Sequence, residues 1–159
     1  MKKTYDASNV QSIAGAKIAI VQAAWHKEHS DRMVEVSKEM LEAAQCTSVD
    51  VFLVPGVYEI PLVSKKLARS GKYQAIIVYG IVVKGDTDHY EVLLQTVIRE
   101  LGKVMYDFEV PIIMEILPVH QLEHAIARTQ GEGNKGIEAA QATIDIILLD
   151  RKLQIEQLA

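Results

Sequence analysis

One segment near the middle of the chain, Ala75–Val83, is apolar at almost every position and is followed by the polar sequence that begins at Lys84. It has no alternation of apolar and polar residues, so neither face of the predicted strand is suited to water. A strand buried on both faces is typical of a parallel sheet that is covered by helices. This segment therefore favours an α/β fold.

The rest of the chain repeats this alternation of strand and helix. Apolar runs predict three more strands, at Lys17–Ala23, Val49–Val54 and Val110–Leu117. Helical spacing predicts a helix from a cap at Ser30 or Asp31 to Ala44, and others over 60–70, 89–107, 121–129 and 137–153. The order predicts a four-stranded, mainly parallel sheet flanked by helices on both faces.

Length and composition limit the possible classes of protein. The chain has 159 residues, 49% of them hydrophobic and 24% charged, so we expect a single domain over residues 1–159 with a polar N-terminal arm at 1–15. The net charge of −4 gives no basic excess for nucleic acid. No segment approaches the roughly 20 apolar residues of a membrane helix. The single cysteine, Cys46, allows no internal disulfide, so we expect a reducing, cytoplasmic location.

Ligands of open parallel sheets bind beyond the carboxyl ends of the strands. That rule selects four loops, at 24–29, 55–59, 84–89 and 118–120. The loop at 84–89 carries the most chemistry. Gly85 allows the backbone to approach a ligand closely, and the N-terminus of the helix that follows favours an anion. His89 lies in the first turn of that helix, and histidine suits proton transfer near neutral pH. The alternative is that Asp88 only caps the helix and His89 is a surface residue.

Two other motifs have simpler interpretations. The sequence from His120 to His124 matches the H-x-x-E-H pattern of zinc peptidases, but Pro118 places the helix start near His120, where two ligands would be poorly held. Glu115 and His26 are the remaining candidates for a third ligand, and we predict no metal site. Gly131–Gly136 matches G-x-G-x-x-G, yet a predicted helix precedes it where a dinucleotide site needs a strand.

Three segments, in order along the chain, resemble those of the 6,7-dimethyl-8-ribityllumazine synthases. The family segments are V-P-G-[AS]-[FY]-E-[IL]-P, G-x-[VL]-I-[RK]-G-x-T-x-H-[FY] and G-N-K-G-x-E-A-A. Their counterparts are Val54–Leu62, Gly80–Tyr90 and the helix start at Gly133–Gly136. Trp25 lies where the family has an aromatic residue after the first strand. The resemblance begins near residue 17 and implies a flavodoxin-like three-layer sandwich.

The resemblance also implies a reaction. The family condenses 5-amino-6-(D-ribitylamino)uracil with 3,4-dihydroxy-2-butanone 4-phosphate to give the lumazine, phosphate and water, in riboflavin biosynthesis. The substrate's own amine forms the imine, so neither an enzyme lysine nor a cofactor is implied. The protein positions the substrates, transfers protons and binds an anion.

The resemblance assigns the pyrimidine and its ribityl chain to one group of residues. Trp25 would stack on the pyrimidine with His26 beside it, and Glu59 would accept hydrogen bonds from ribityl hydroxyls. The pocket wall and the pyrimidine edge would be formed by Val57, Tyr58, Val82, Val83 and Lys84. Met114 occupies the position of the aromatic residue that usually closes the pocket.

A second group is assigned to the phosphate and to proton transfer. Phosphate would be held at the helix start by Gly85, Asp86 and Thr87. His89 would move protons during imine formation and phosphate loss. Arg128 of a neighbouring subunit would pair with the phosphate, with Lys135 close by. A shared site of this kind implies a homopentamer or a larger assembly.

The chain departs from the family pattern at one strand and one loop. The strand that the family often ends as F-G-[VI]-L-T is here Met114–Pro118, so that Glu115 replaces glycine. The spacing from Arg128 to Lys135 is one residue shorter than usual. Two alternatives to the synthase therefore remain: an archaeal-type riboflavin synthase, which the 85–89 loop and Arg128 disfavour, and a catalytically silent lumazine- or flavin-binding shell protein, which Met114 and Glu115 favour.

Overall fold

A computed structural model of the chain describes residues 10–158, with side chains through residue 157. Its strands are β1 (Lys17–Ala23), β2 (Ser48–Val54), β3 (Ala75–Val83) and β4 (Ile112–Val119). Its helices are α1 (Lys27–Ala43), α2 (Ile60–Arg69), α3 (His89–Phe108), α4 (Leu122–Ala127) and α5 (Lys135–Leu158). Short 3-10 turns lie at Val57–Glu59 and Gly131–Gly133.

The strands form one parallel sheet in the order β2-β1-β3-β4. Each face of the sheet has its own core. Ile18 and Ile20 of β1 face α1 and α5, whereas Ala19 and Val21 face α2 and α3. The predicted α/β sandwich with helices on both faces is confirmed, and β3 is buried from Ala75 through Ile81.

The predicted start of α1 at Ser30 or Asp31 is wrong. The helix begins at Lys27, after His26 adopts a left-handed conformation with φ 59°. Ser30 is fully buried, and it and Asp31 accept hydrogen bonds from the side chain of Gln22 at 2.8 and 2.9 Å. The two polar residues therefore tie the helix to β1 instead of capping it.

Three other elements have ends that differ by two or more residues from the predicted ones. β4 begins at Ile112 and continues through Pro118 to Val119, because an edge strand tolerates proline where no partner needs its N–H. α4 is shorter than predicted, and α5 begins at Lys135 and extends to Leu158.

The predicted N-terminal arm lies partly outside the described residues, since nothing is described before residue 10. Within its described part, Ile13 is fully buried and its N–H donates to the carbonyl of Ala44 at 2.8 Å. This segment packs against the core beside α1. No helix among residues 10–158 is long and apolar enough to cross a membrane.

Candidate active site

A groove of about 790 Å³ opens at the carboxyl ends of β1, β2 and β3. Its walls come from the turn after β1, the 3-10 turn after β2, the end of β3 and the first two turns of α3. The lining residues that the sequence predicted are Trp25, His26, Val57, Tyr58, Val82, Val83 and His89. The fold thus brings together residues from four separate segments.

Two aromatic side chains stand at the mouth of the groove. Trp25 is 71% exposed and Tyr58 is 66% exposed, which is unusual for side chains of this size. The left-handed turn at His26 places Trp25 over Gly56, where a Cβ would lie 3.7 Å from Trp25 Cδ1. An exposed aromatic face of this kind offers a stacking surface to a planar ring.

The groove wall depends on the absence of a side chain at Gly80. A Cβ there would lie 2.5 Å from Val57 Cγ1, well inside van der Waals contact. Glycine lets the turn at Val57 close against β3. The same turn directs the Glu59 carboxylate toward Gly56, where a Cβ would be 3.1 Å from Oε2.

His89 is the first residue of α3, and its exposed side chain lines the groove. Asp88 occupies the position before the helix but makes no side-chain capping bond. The side-chain cap that Asp88 could have provided is therefore not formed. Gly85, Asp86 and Thr87 lie exposed between β3 and α3, next to the N-terminal end of the helix.

Lys84, which the sequence predicted as part of the site, does not line the groove. Its Nζ lies 2.8 Å from Glu91 Oε1 and 5.9 Å from the centre of the Tyr90 ring. The hydrogen bond raises the pKa of Lys84 and lowers that of Glu91. The backbone N–H of Lys84 donates to the carbonyl of Val119 at 2.8 Å, and this hydrogen bond joins the ends of β3 and β4.

Arg128 and Lys135 do not line the groove of their own chain. They close the joint between α4 and α5, because the N–H of Lys135 donates to the carbonyl of Arg128 at 2.8 Å. The Arg128 guanidinium donates to the His124 carbonyl at 3.0 Å, and Lys135 Nζ lies 2.6 Å from Glu138 Oε2. Both side chains are thus held at one corner of the molecule.

Asn134 organises this joint, a role that the sequence did not indicate. Its amide donates to the carbonyls of Arg32 and Thr129 at 3.1 and 3.0 Å, and its Oδ1 accepts from Gly136 N–H at 2.8 Å. A Cβ on Gly136 would collide with the Met33 carbonyl of α1. The G-x-G-x-x-G match therefore ends in a tight contact between two helices.

The H-x-x-E-H match does not lie on one helix. α4 begins at Leu122, so His120 precedes it and His124 belongs to it. The ring of His120 lies beside that of Tyr90, with centroids 6.4 Å apart. No group of three or more metal-ligating side chains is present among residues 10–158.

Met114 and Glu115 lie on β4, at the edge of the sheet. Met114 is 39% exposed. Glu115 is half-buried, and burial raises its pKa to about 7, while Lys135 acts in the opposite direction and Glu138 adds to the rise.

Five lining residues were not predicted. They are Gly56, Ile81, Val92, Leu93 and Thr96. Positions 92, 93 and 96 follow His89 at helical spacing and therefore share its face of the helix. These three could have been predicted from the helical pattern of the sequence.

Comparison with known proteins agrees with this arrangement. Residues 15–151 match the family model described as 6,7-dimethyl-8-ribityllumazine synthase. A Thermococcus kodakarensis protein of that name is 36% identical over 140 residues, covering 88% of this chain and 90% of that protein. A Coxiella burnetii protein of the same name is 37% identical over 142 residues, covering 87% and 94% respectively. The chain belongs to the 6,7-dimethyl-8-ribityllumazine synthase family.

Proposed function

We propose that the chain is a transferase that condenses 5-amino-6-(D-ribitylamino)uracil with 3,4-dihydroxy-2-butanone 4-phosphate. The products are 6,7-dimethyl-8-ribityllumazine, phosphate and water, and the pathway is riboflavin biosynthesis. The observation that carries the proposal is the family match over residues 15–151. The groove with its exposed aromatic walls and His89 supports it.

In this proposal the pyrimidine stacks on Trp25 and lies against the end of β3, where Val82 and Val83 line the groove. Backbone groups in a strand end offer donors and acceptors to the edge of a flat heterocycle. The Glu59 carboxylate accepts hydrogen bonds from ribityl hydroxyls. The apolar wall excludes water around the ring, which strengthens these polar contacts.

His89 is proposed as the proton-transfer residue. Imine formation transfers both protons of the attacking amine to the oxygen that leaves as water, and loss of phosphate requires that a base remove a proton from carbon. A histidine at the groove mouth reaches both the substrate and solvent, so it can exchange protons with water between steps. The first turn of α3 offers backbone N–H groups to the phosphate.

The groove contains no arginine or lysine in its lining within the described chain. A phosphate dianion needs cationic partners when it leaves bulk water. We therefore propose that Arg128 and Lys135 of a neighbouring copy complete the phosphate site, in a cytoplasmic homopentamer or larger assembly. Met114 of that copy would cover the open side of the pyrimidine.

The direct test is to incubate the purified protein with the two precursors and to follow lumazine fluorescence. Product formed faster than the uncatalysed rate supports the proposal. Riboflavin formed from lumazine alone would instead indicate a riboflavin synthase, and tight flavin or lumazine binding without turnover would indicate a shell protein. The family match favours neither of these alternatives.

The role of His89 is tested by His89→Ala, which should lower kcat about 10- to 100-fold because unaided substrate chemistry still proceeds. His29→Ala is a matched control, since His29 lies on α1 beside Glu28 and does not line the groove. An unchanged kcat in His89→Ala would reduce His89 to a packing or solvent-facing residue.

The shared site is tested by mixing two impaired chains. His89→Ala and Arg128→Ala each remove one half of the proposed site. If both residues act from different copies, random mixing leaves about one site in four with both side chains intact. Activity on co-expression should therefore rise to about a quarter of the wild-type value, whereas sites built within one chain would give only the mean of the two variants.

A further inference from the structure

One ion pair beside the groove, Lys84–Glu91, has no part in the proposed reaction. Lys84 directly follows β3, and Glu91 lies in the first turn of α3. Lys84 Nζ and Glu91 Oε1 are 2.8 Å apart. Between the two partners lie residues 85–87, which the family resemblance assigns to phosphate and which we call the phosphate loop. The pair therefore spans the base of this loop.

The phosphate loop has little support of its own. Its residues are exposed. Among residues 10–158, no backbone hydrogen bond ties the loop to another segment. An exposed segment with few hydrogen bonds opens easily. A link between its two ends restricts their movement, because it closes the loop into a ring and removes much of its conformational freedom.

The Lys84 end of the pair is fixed by its neighbours. The backbone N–H of Lys84 donates to the carbonyl of Val119 at 2.8 Å, which anchors this residue to β4. Its Nζ lies 5.9 Å from the centre of the Tyr90 ring, and that ring lies beside the ring of His120. The pair thus lies where the ends of β3 and β4 meet the first turn of α3.

The Glu91 carboxylate depends on its contact with Lys84. Its Oε2 atom is shielded from solvent and accepts no hydrogen bond among the described residues. The hydrogen bond from Lys84 lowers the pKa of Glu91, so the carboxyl group is ionised at neutral pH. Loss of the ammonium group would leave this charge with one oxygen that water does not reach, which is unfavourable. The contact should therefore persist in the folded protein.

We propose that Lys84 and Glu91 act together as positioning residues for the phosphate loop. The pair holds the loop in one arrangement before the substrate arrives, so less ordering is needed on binding. Neither side chain lines the groove, and both act through the loop. The inference rests on the proposed function, in which the phosphate binds at the start of α3.

This role differs from the one that the family resemblance implies for Lys84, which is contact with the pyrimidine edge. The two roles predict different effects of substitution. A side chain at the pyrimidine edge affects binding of the pyrimidine and acts without Glu91. A pair that positions the loop affects binding of the phosphate substrate, and loss of either partner should have the same effect.

The experiment compares wild type with Lys84→Met, Glu91→Gln and the double variant. Each single change should raise the KM for the phosphate substrate about 2- to 5-fold, as expected for an ion pair that stays partly in contact with water. The double variant should resemble the single variants, because either change already breaks the pair. The value of kcat and the KM for the pyrimidine should change little.

Lys27→Met is the matched control. Lys27 forms an ion pair of the same length with Asp31, at similar exposure, and does not line the groove. This variant should keep the wild-type KM for the phosphate substrate. Lys84→Arg keeps a cationic donor opposite Glu91, and the family segment admits arginine here, so it should also stay close to wild type.

Two readouts need no turnover. Calorimetric titration with inorganic phosphate should show weaker binding in Lys84→Met and Glu91→Gln than in Lys27→Met. Hydrogen exchange should be faster in both variants for the amides of Lys84 and Val92, which are hydrogen-bonded at the two ends of the loop.

Unchanged exchange of these amides in both variants would contradict the inference. A higher KM for the pyrimidine in Lys84→Met that Glu91→Gln does not share would also contradict it, and would return Lys84 to the pyrimidine edge. Absence of lumazine formation by wild type would instead contradict the proposed function, and the exchange measurement would still decide whether the pair orders the loop.

Discussion

Replacement of Gly80 by alanine tests how the groove wall is built. The added Cβ would lie 2.5 Å from Val57 Cγ1, 3.6 Å from Ala23 Cβ and 3.7 Å from Ile60 Cδ1. The last two distances are ordinary contacts, so the whole conflict is with one methyl group of Val57. Overpacking of this kind costs about 1–3 kcal/mol, and we expect a value near 2 kcal/mol because Val57 belongs to a short turn that is able to shift.

Val57→Ala removes the methyl group responsible for the conflict. On its own it should cost about 1–2 kcal/mol, the transfer free energy of two buried methyl groups less the relaxation of a surface turn. In the double variant the two changes should compensate, so that its loss of stability is smaller than the sum of the single losses by about 1–2 kcal/mol.

The assay is urea unfolding of the four proteins at one protein concentration, because subunit association makes apparent stability depend on concentration. Gly102→Ala in α3 is the control, since no atom lies within 4 Å of the Cβ it would add. This variant should be stabilised by about 0.5–1 kcal/mol through helix propensity. Additive losses in the Gly80 and Val57 pair would refute the packing argument.

Three further predictions concern polar contacts. Asn134→Ala removes three hydrogen bonds, two of them buried and one partly buried, and should lower the free energy of unfolding by about 2–3 kcal/mol, measured with urea. The pKa of Asp31 is lowered: burial alone would raise it, but the hydrogen bond from Lys27 helps to lower it. Asp31→Asn should therefore lower the free energy of unfolding by under about 1 kcal/mol at pH 7. This difference from wild type should disappear as the pH falls below 3.8. Burial and the hydrogen bond to Asp50 raise the pKa of Tyr73 to about 12. The contribution of Tyr73 to stability is therefore complete below pH 10 and is lost toward pH 12. The difference in tyrosinate absorbance between folded wild type and Tyr73→Phe should appear near pH 12.

The fold was predictable where burial alone determines structure. The bounds of β1 and β3 match the sequence prediction, because a strand enclosed by helices is apolar throughout and stops where polar residues begin. The start of α1 was not predictable by the same means. Ser30 and Asp31 have the composition of a helix cap, but the side chain of Gln22, on the preceding strand, donates hydrogen bonds to both of them.

The candidate site was likewise only partly predictable from the sequence. Residues on strand ends and adjoining turns were located from sequence, because the carboxyl ends of parallel strands share one edge of the sheet. The direction of the Lys84 side chain could not be located in this way, since it depends on Glu91 in the first turn of α3. The role of Asn134 was hidden for a similar reason: two of its three partners are backbone groups of other segments.

The glycines of the family segments also indicate why packing and chemistry are linked in this chain. Gly80 admits Val57, and Gly136 admits the backbone of α1; in both cases the space is filled by protein. Each close approach nevertheless positions a neighbouring functional candidate, Tyr58 in the first case and Lys135 in the second. A substitution at either glycine is therefore expected to alter substrate binding without removing any group that touches the substrate. The two effects are separable, because a compensating change at Val57 should restore both stability and KM, whereas no change at Val57 should rescue a loss of Trp25.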